Sequence, residues 1–211
     1  MSFKDQFTHM HLDVLKEIGN IGAGNATTSL SKLLNRKIDM QVPSVQLIEF
    51  DEVMELAGGA ETEVISIMLR IEGDAPGSMF FILSPLQAVK FVNQLIGQTS
   101  DSVSQLLDSE FHRSALQELG NIVTGAYLSS LSDFTKLDLY PSVPLLAMDM
   151  VGAILSHGLI ELSQISDQAI VIETLLQEEG NEEEIKGHFF LFPDPISYDV
   201  LFQSVGISNH E

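Results

Sequence analysis

The sequence has no cysteine and no tryptophan, and it has few basic residues. Without cysteine there is no disulfide framework, no thiolate metal site and no catalytic thiol. Lysine and arginine number 10 and aspartate and glutamate 30, so the formal net charge is 10 − 30 = −20. Nucleic acids and anionic membranes attract clustered basic residues, and this charge balance therefore argues against both as partners.

Long apolar runs are also missing from the 211 residues. No apolar stretch reaches the roughly 18 residues that are needed to span a bilayer. The first residues, MSFKDQFTHMHLD, lack the apolar run of a signal peptide. We therefore expect no membrane insertion and a cytoplasmic location. Hydrophobic residues still make up 45% of the chain, which is enough for a folded globular core.

Three blocks of sequence occur twice and in the same order. The pairs are 13–31 with 114–132, 43–53 with 141–151, and 77–85 with 187–195. At an offset of 114 − 13 = 101 the first pair is identical at nine of nineteen positions, and the second pair is identical at six of eleven. Such repetition predicts a duplicated unit of about 100 residues. We place the repeats at about 11–100 and 110–206, within one domain over 1–211.

Hydrophobic periodicity predicts the same series of elements in each repeat. The predicted long helices span about 11–35 and 110–133, extended segments 37–49 and 138–147, and strand pairs 62–73 with 77–84 and 168–177 with 187–193. Closing helices are predicted after Pro85 and Pro195, and a polar segment at 98–109 joins the repeats. The predicted fold class is α+β, with two pseudo-symmetric repeats that share an antiparallel sheet.

Four positions on each long helix fall on one narrow stripe, because each helical residue turns the chain by about 100°. They are Asp13, Glu17, Asn20 and Gly24 in the first repeat, and Ser114, Glu118, Asn121 and Gly125 in the second. We call these sets the first stripe and the second stripe. A solvated helix face would explain one such stripe. It does not explain why glutamate and asparagine are kept in both repeats when the residues beside them have diverged, and the duplication therefore favours a functional site.

The pattern Asp/Ser-x-x-x-Glu-x-x-Asn of the two stripes resembles the signature of the CheC/CheX/FliY family of chemotaxis response-regulator phosphatases. The surrounding EIGNIGAGNA at 17–26, the duplicated layout and the length are also similar to that family. The resemblance covers essentially the whole chain. It implies an enzyme that hydrolyses the aspartyl phosphate of the response regulator CheY.

The family resemblance also implies roles for the stripe residues. Asn20 and Asn121 would orient the attacking water, and Glu17 and Glu118 would dock the regulator, so that these four form the catalytic set. The bound regulator would supply Mg²⁺ and a lysine, and no metal or cofactor is expected on this chain itself. Asp13, Gly24, Ser114 and Gly125 would lie at the docking edge.

The second repeat carries a further candidate at Asp149, within the apolar segment 148–156. Family members also bind the receptor deamidase CheD, and we expect this segment to provide that surface. The alternative role of Asp149 is to cap a short helix, as Asp51 would in the first repeat. An exposed methionine and valine beside the acid, Met148 or Met150 and Val151, would form the apolar part of the surface.

Two other functions remain open from the sequence. A non-catalytic adaptor of the flagellar switch would share the fold but would not need the paired glutamate and asparagine. A hydrolase of small phosphate esters would need metal or cationic groups, which the stripes do not contain. His9 and His11 lie close together in the sequence, but no third metal ligand is visible near them.

Overall fold

The computed structural model describes residues 9–96, 103, 106, 108–162, 168–179 and 184–204. The first repeat contains α1 (His9–Leu34), β1 (Ile38–Gln41), β2 (Val45–Glu49), α2 (Phe50–Leu56), β3 (Glu63–Gly73), β4 (Gly77–Leu83) and α3 (Pro85–Ile96). The second contains α4 (Glu110–Thr135), β5 (Leu139–Pro141), β6 (Leu145–Met150), α5 (Val151–Leu162), β7 (Gln168–Glu178), β8 (Glu184–Pro193) and α6 (Pro195–Ser204).

The same seven elements follow one another in both repeats, and the predicted α+β fold class is confirmed. The long helices and the strand pairs begin and end within three residues of their predicted positions. Each predicted extended segment contains two short strands, because the chain breaks at the proline-bearing segments 42–44 and 142–144. Most of the predicted joining segment 98–109 and most of the acidic turn between β7 and β8 lie outside the described residues.

Strands from both repeats are combined in one antiparallel sheet. The order is β1-β7-β8-β4-β3-β5, with β2 also paired to β7 and β6 also paired to β3. The central pair joins β4 of the first repeat to β8 of the second. Each outer pair of short strands hydrogen-bonds to a long strand of the other repeat. The repeats are therefore interleaved rather than placed side by side.

Helices cover both faces of the sheet. Alternate residues of β4 illustrate this arrangement, because successive side chains of a strand point to opposite faces. Phe81 packs in the larger core with apolar residues of α1, α3, α4 and α6. Phe80 packs in a smaller core with Val53 of α2 and Leu155 of α5. The two long helices consequently lie on the same face of the sheet.

Close packing fixes α4 against both α1 and the sheet. A Cβ atom added to Gly22 of α1 would lie 2.7 Å from the Tyr127 ring and 3.0 Å from the Tyr127 Cα, so only glycine permits this crossing of α1 and α4. The Tyr127 hydroxyl forms a 2.9 Å hydrogen bond with the buried Thr174 Oγ1 of β7. Burial raises the pKa of the Tyr127 hydroxyl well above its usual value, which keeps it protonated for this bond. The outer face of each long helix is thus held in a fixed direction.

The prediction that Asp51 caps the first short helix is wrong. That helix begins at Phe50, with Glu49 as its N-cap, so Asp51 lies inside the first turn. The Glu49 N–H donates a 3.2 Å hydrogen bond to the Glu52 carboxylate, as in a capping box. Three acids within four residues all suit a helix N-terminus, and the sequence alone does not distinguish among them.

The prediction that Asp149 caps the second short helix is also wrong. Asp149 lies in β6, where it is paired with Val64, and the strand continues to Met150 before α5 begins. Its Oδ1 accepts a 2.7 Å hydrogen bond from the Met150 N–H. Pairing with β3 has extended the strand past the acid.

Within the described residues, no helix has the length and apolar character needed to cross a membrane.

Candidate functional site on the long helices

The first stripe lies at the centre of the exposed face of α1. Asp13, Glu17, Asn20 and Gly24 are all exposed. The buried residues of α1, such as Leu15, Ile18 and Leu30, occupy the opposite side of the helix. The structure therefore brings all four predicted residues together on one surface.

The second stripe is presented in the same way by α4. Ser114, Glu118 and Asn121 are exposed, and Gly125 is half-buried. The helix starts at a defined residue, since Ser109 is its N-cap and accepts a 3.4 Å hydrogen bond from the His112 N–H. The duplicated sequence has thus produced two equivalent polar surfaces.

The carboxylates of Glu17 and Glu118 are unpaired within the described residues. Among the residues that the structure describes, neither Glu17 nor Glu118 forms an ion pair or a side-chain hydrogen bond. By contrast, Glu178 pairs with Arg36 at 2.9 Å and Glu179 pairs with Lys37 at 2.7 Å. Both stripe carboxylates are consequently available to bind a cation from another molecule.

The two stripe asparagines differ in their surroundings. The Val42 N–H, in the segment between β1 and β2, donates a 3.2 Å hydrogen bond to the Asn20 Oδ1. This bond fixes the plane of the Asn20 amide and leaves the Nδ2 group and one oxygen lone pair available. No comparable bond is present for the Asn121 amide within the described part of the chain. Sequence reasoning did not find this contact, because 22 residues separate Asn20 from Val42.

A cleft of about 350 Å³ opens beside Asn121. Its walls come from both long helices and from β5, and they include Asn25, Ser29, Gly125 and Leu139. The Asn25 Nδ2 donates a 3.3 Å hydrogen bond to the Ser130 Oγ, which links α1 to α4 at this position. The second stripe is thus bordered by a recess that residues of the first repeat help to form.

Open space lies above the stripe glycines. A Cβ atom added to Gly24 or Gly125 would meet no atom within 4 Å. These two glycines are therefore not required by the packing of the chain itself, in contrast to Gly22. Glycine inside a helix costs about 1 kcal/mol relative to alanine.

Asp149 does not belong to the same surface as the stripes. Its neighbours Leu146 and Met148 pack on the core that contains α1 and α4. Strand alternation therefore directs the exposed Asp149 to the other face of the sheet. The expectation of an exposed valine beside it is wrong, because Val151 is completely buried. Leu145, at 64% exposure, lies on the same face of β6 as Asp149, whereas Met150, at 50% exposure, lies on the opposite face.

His9 and His11 differ in their surroundings. His11 is buried at 2% exposure, and its burial lowers its pKa from the usual value, whereas His9 is exposed. Within the described ranges, no group of three or more histidine, aspartate or glutamate side chains is placed to hold a metal ion.

These observations define a class of protein: an interleaved, duplicated α+β fold that presents two exposed Glu/Asn helix surfaces. The sequence model of the CheC-like family matches residues 10–47 and 111–146. The chain is 47% identical over 208 residues to the CheY-P phosphatase CheC of Bacillus subtilis (strain 168), covering 99% of this chain and 100% of that protein. The protein belongs to the CheC-like family.

Two solved structures share the fold at low sequence identity. The crystal structure of Thermotoga maritima FliY has a TM-score of 0.75 at 19% identity, and the match covers 95% of this chain and 98% of that chain. The CheX–CheY–BeF₃–Mg²⁺ complex of Borrelia burgdorferi has a TM-score of 0.52 at 14% identity, with coverage of 82% and 96%. At such identities the likeness concerns the fold alone.

Proposed function

We propose that this protein is a cytoplasmic phosphatase that hydrolyses the aspartyl phosphate of the chemotaxis response regulator CheY. The observation that carries the proposal is the pair of exposed stripes, each with an uncommitted glutamate one helical turn from an asparagine. The name of the Bacillus subtilis relative, a CheY-P phosphatase, supports the same activity. A non-catalytic adaptor of the flagellar switch would have no need for a glutamate and an asparagine in both stripes.

Hydrolysis of an aspartyl phosphate requires a water molecule held in line with the phosphorus, together with charge stabilisation at the phosphoryl oxygens. An asparagine amide can both donate and accept hydrogen bonds, so it can hold such a water without being ionised. Asn20 and Asn121 would each enter the regulator's site and orient the water. Such positioning supplies several kcal/mol of the barrier reduction.

Glu17 and Glu118 would bind a lysine of the regulator and so fix the register of the complex. Their carboxylates are exposed, are unpaired within the part of the chain that the structure describes, and lie one helical turn from the asparagines. Asp13 and Ser114, one turn further along, would contact the docking edge. Gly24 and Gly125 would allow the regulator's backbone to approach, since no described residue occupies the space above them.

The positive charge for this chemistry would come from the regulator. This protein has a net charge of −20, and neither stripe includes a basic residue. The solved complex of the CheX relative contains CheY, BeF₃ and Mg²⁺, which supports the expectation that Mg²⁺ enters with the regulator. This protein would thus need only to position the attacking water, because the regulator supplies the positive charge.

The proposal is tested by the decay of phosphorylated CheY in the presence of Mg²⁺. We expect the double variant Asn20→Ala, Asn121→Ala to lose at least about 100-fold in catalysed decay, because no amide remains to position the water. Gln203→Ala removes an exposed helical amide from α6 and should leave the rate unchanged. Accelerated decay that survives the double change would refute the mechanism.

We further propose that the receptor deamidase CheD binds around Asp149, in the segment 148–156. The surface combines one exposed acid with the exposed apolar Leu145, which lies on the same face of β6. Titration calorimetry with purified CheD provides the test. Asp149→Lys should weaken binding by at least about tenfold, as charge reversal at an interface does. Asp39→Lys, a charge reversal at another exposed acid, on β1, should leave binding unchanged. Equal effects of the two changes would contradict the assignment.

A further inference from the structure

Each long helix exposes one large apolar side chain just before its stripe. These residues are Met10 on α1, at 62% exposure, and Phe111 on α4, at 60% exposure. They are equivalent in the two repeats, since 111 − 10 = 101 is the offset that aligns the stripes. Each lies three residues before the first stripe position, Asp13 or Ser114.

A second apolar position lies on the same side of each stripe. With about 100° of turn per residue, Met10 falls near 60° from Asp13 and Ile21 falls near 80°, whereas Asn20 falls near −20°. Phe111 and Ile122 take the same angles in the second repeat. Ile21 is 48% exposed, and Ile122 is half-buried. Both stripes therefore have an apolar border along the same edge.

Single exposed apolar residues are common and need no explanation by themselves. Here the apolar character is retained in both repeats although the neighbouring residues have changed, with His9 against Glu110 and Leu12 against Arg113. Met10 and Phe111 also differ from each other, so it is their size and apolarity that are common. A helix face exposed only to solvent would accept any polar residue at these two positions.

The border lies within reach of a molecule docked on the stripe. Phe111 is seven residues from Glu118 and ten from Asn121, which is about 10 and 15 Å along a helix. A standard protein interface buries about 800 Å² on each partner, a patch that spans this length. Large apolar side chains at such a patch are favoured anchors.

We propose that Met10 and Phe111, with Ile21 and Ile122 beside them, pack against an apolar patch next to the phosphorylated aspartate of the regulator. This proposal rests on the proposed function, because it takes the molecule docked on the stripes as its occupant. The glutamate carboxylate fixes the register of the complex, and the asparagine amide orients the attacking water. The apolar border supplies affinity and selects regulators that carry a matching apolar patch.

The test measures steady-state hydrolysis of phosphorylated CheY at several regulator concentrations. Met10→Ser, Phe111→Ser should raise KM by about tenfold or more, the loss expected for truncated anchors. The kcat should stay within about twofold, because the anchors bind substrate and transition state equally. Met10→Leu, Phe111→Leu should remain close to the unmodified protein.

Leu86 and Ile196 provide a matched control. They are also repeat-related and exposed, at 66% and 74%, but they lie in the first turns of α3 and α6, which carry no stripe residue. Leu86→Ser, Ile196→Ser should leave KM unchanged. An equal rise in KM for this control, or an unchanged KM in the Met10/Phe111 serine variant, would overturn the proposal. A fall in kcat without a change in KM would also overturn it.

The asparagine variants separate this proposal from the function on which it rests. If Asn20→Ala, Asn121→Ala abolishes catalysed decay and the serine variant keeps its KM, the phosphatase assignment stands and the apolar border is wrong. If the asparagine variant retains its rate, the mechanism assigned to the stripes fails, and if the unmodified protein does not accelerate decay, the proposed function itself fails.

Discussion

At the scale of single residues, the two stripes are equivalent in sequence but not in their contacts. The Asn20 amide oxygen is hydrogen-bonded to the Val42 N–H, whereas the Asn121 amide has no such restraint among the described residues. The cleft beside Asn121 also gives a docked chain more room. An asparagine that must change its conformation to bind the transition state is hindered by a hydrogen bond that holds it in a different conformation.

We therefore expect the second stripe to supply more of the hydrolysis than the first. Asn121→Ala should lower catalysed decay of phosphorylated CheY by several-fold more than Asn20→Ala does. One lost backbone-to-side-chain hydrogen bond is worth about 1 kcal/mol, or about fivefold in rate. Single-turnover decay assays on the two single variants check this. Equal losses, or a larger loss for Asn20→Ala, would contradict it.

At the scale of elements, the sequence predicted what depends on local pattern and duplication. The long helices, the strand pairs and the closing helices after Pro85 and Pro195 are present at their predicted places. The stripe residues were predictable because helix geometry alone puts them on one face. Internal repetition then favoured a functional site over an ordinary solvated surface, and that assignment stays a prediction.

The errors occurred where contacts between distant residues decide the structure. Asp149 was expected at a helix start, but pairing of β6 with β3 keeps the chain extended through Met150. Val151 was expected to be exposed, but it is the first residue of α5 and packs in the smaller core. The hydrogen bond from Val42 to Asn20 depends on the position of the segment after β1 and has no local sequence signal. Each of these features can be predicted only when the position of the partner strand or loop is known.

At the scale of the whole molecule, interleaving of the two repeats places the stripes on one rigid body. Among the described residues, strands β1 and β2 pair only with the second repeat's β7, and β5 and β6 only with the first repeat's β3. The central contact between β4 and β8 includes the stacked rings of Phe81 and Phe189, 4.4 Å apart. Neither repeat can bury its strands without the other.

We therefore expect residues 1–211 to unfold as one domain, although the boundaries of the repeats at about 11–100 and 110–206 remain predictions. Small single domains unfold in one cooperative transition, and the amides of their central strands exchange only through global opening. Native-state hydrogen exchange at increasing denaturant should therefore bring the amides of β4 and β8 to one common free energy of opening. Because the two strands belong to different repeats, separate opening energies for them would show that the repeats unfold independently. If the value is common, we expect removal of either repeat to unfold the other.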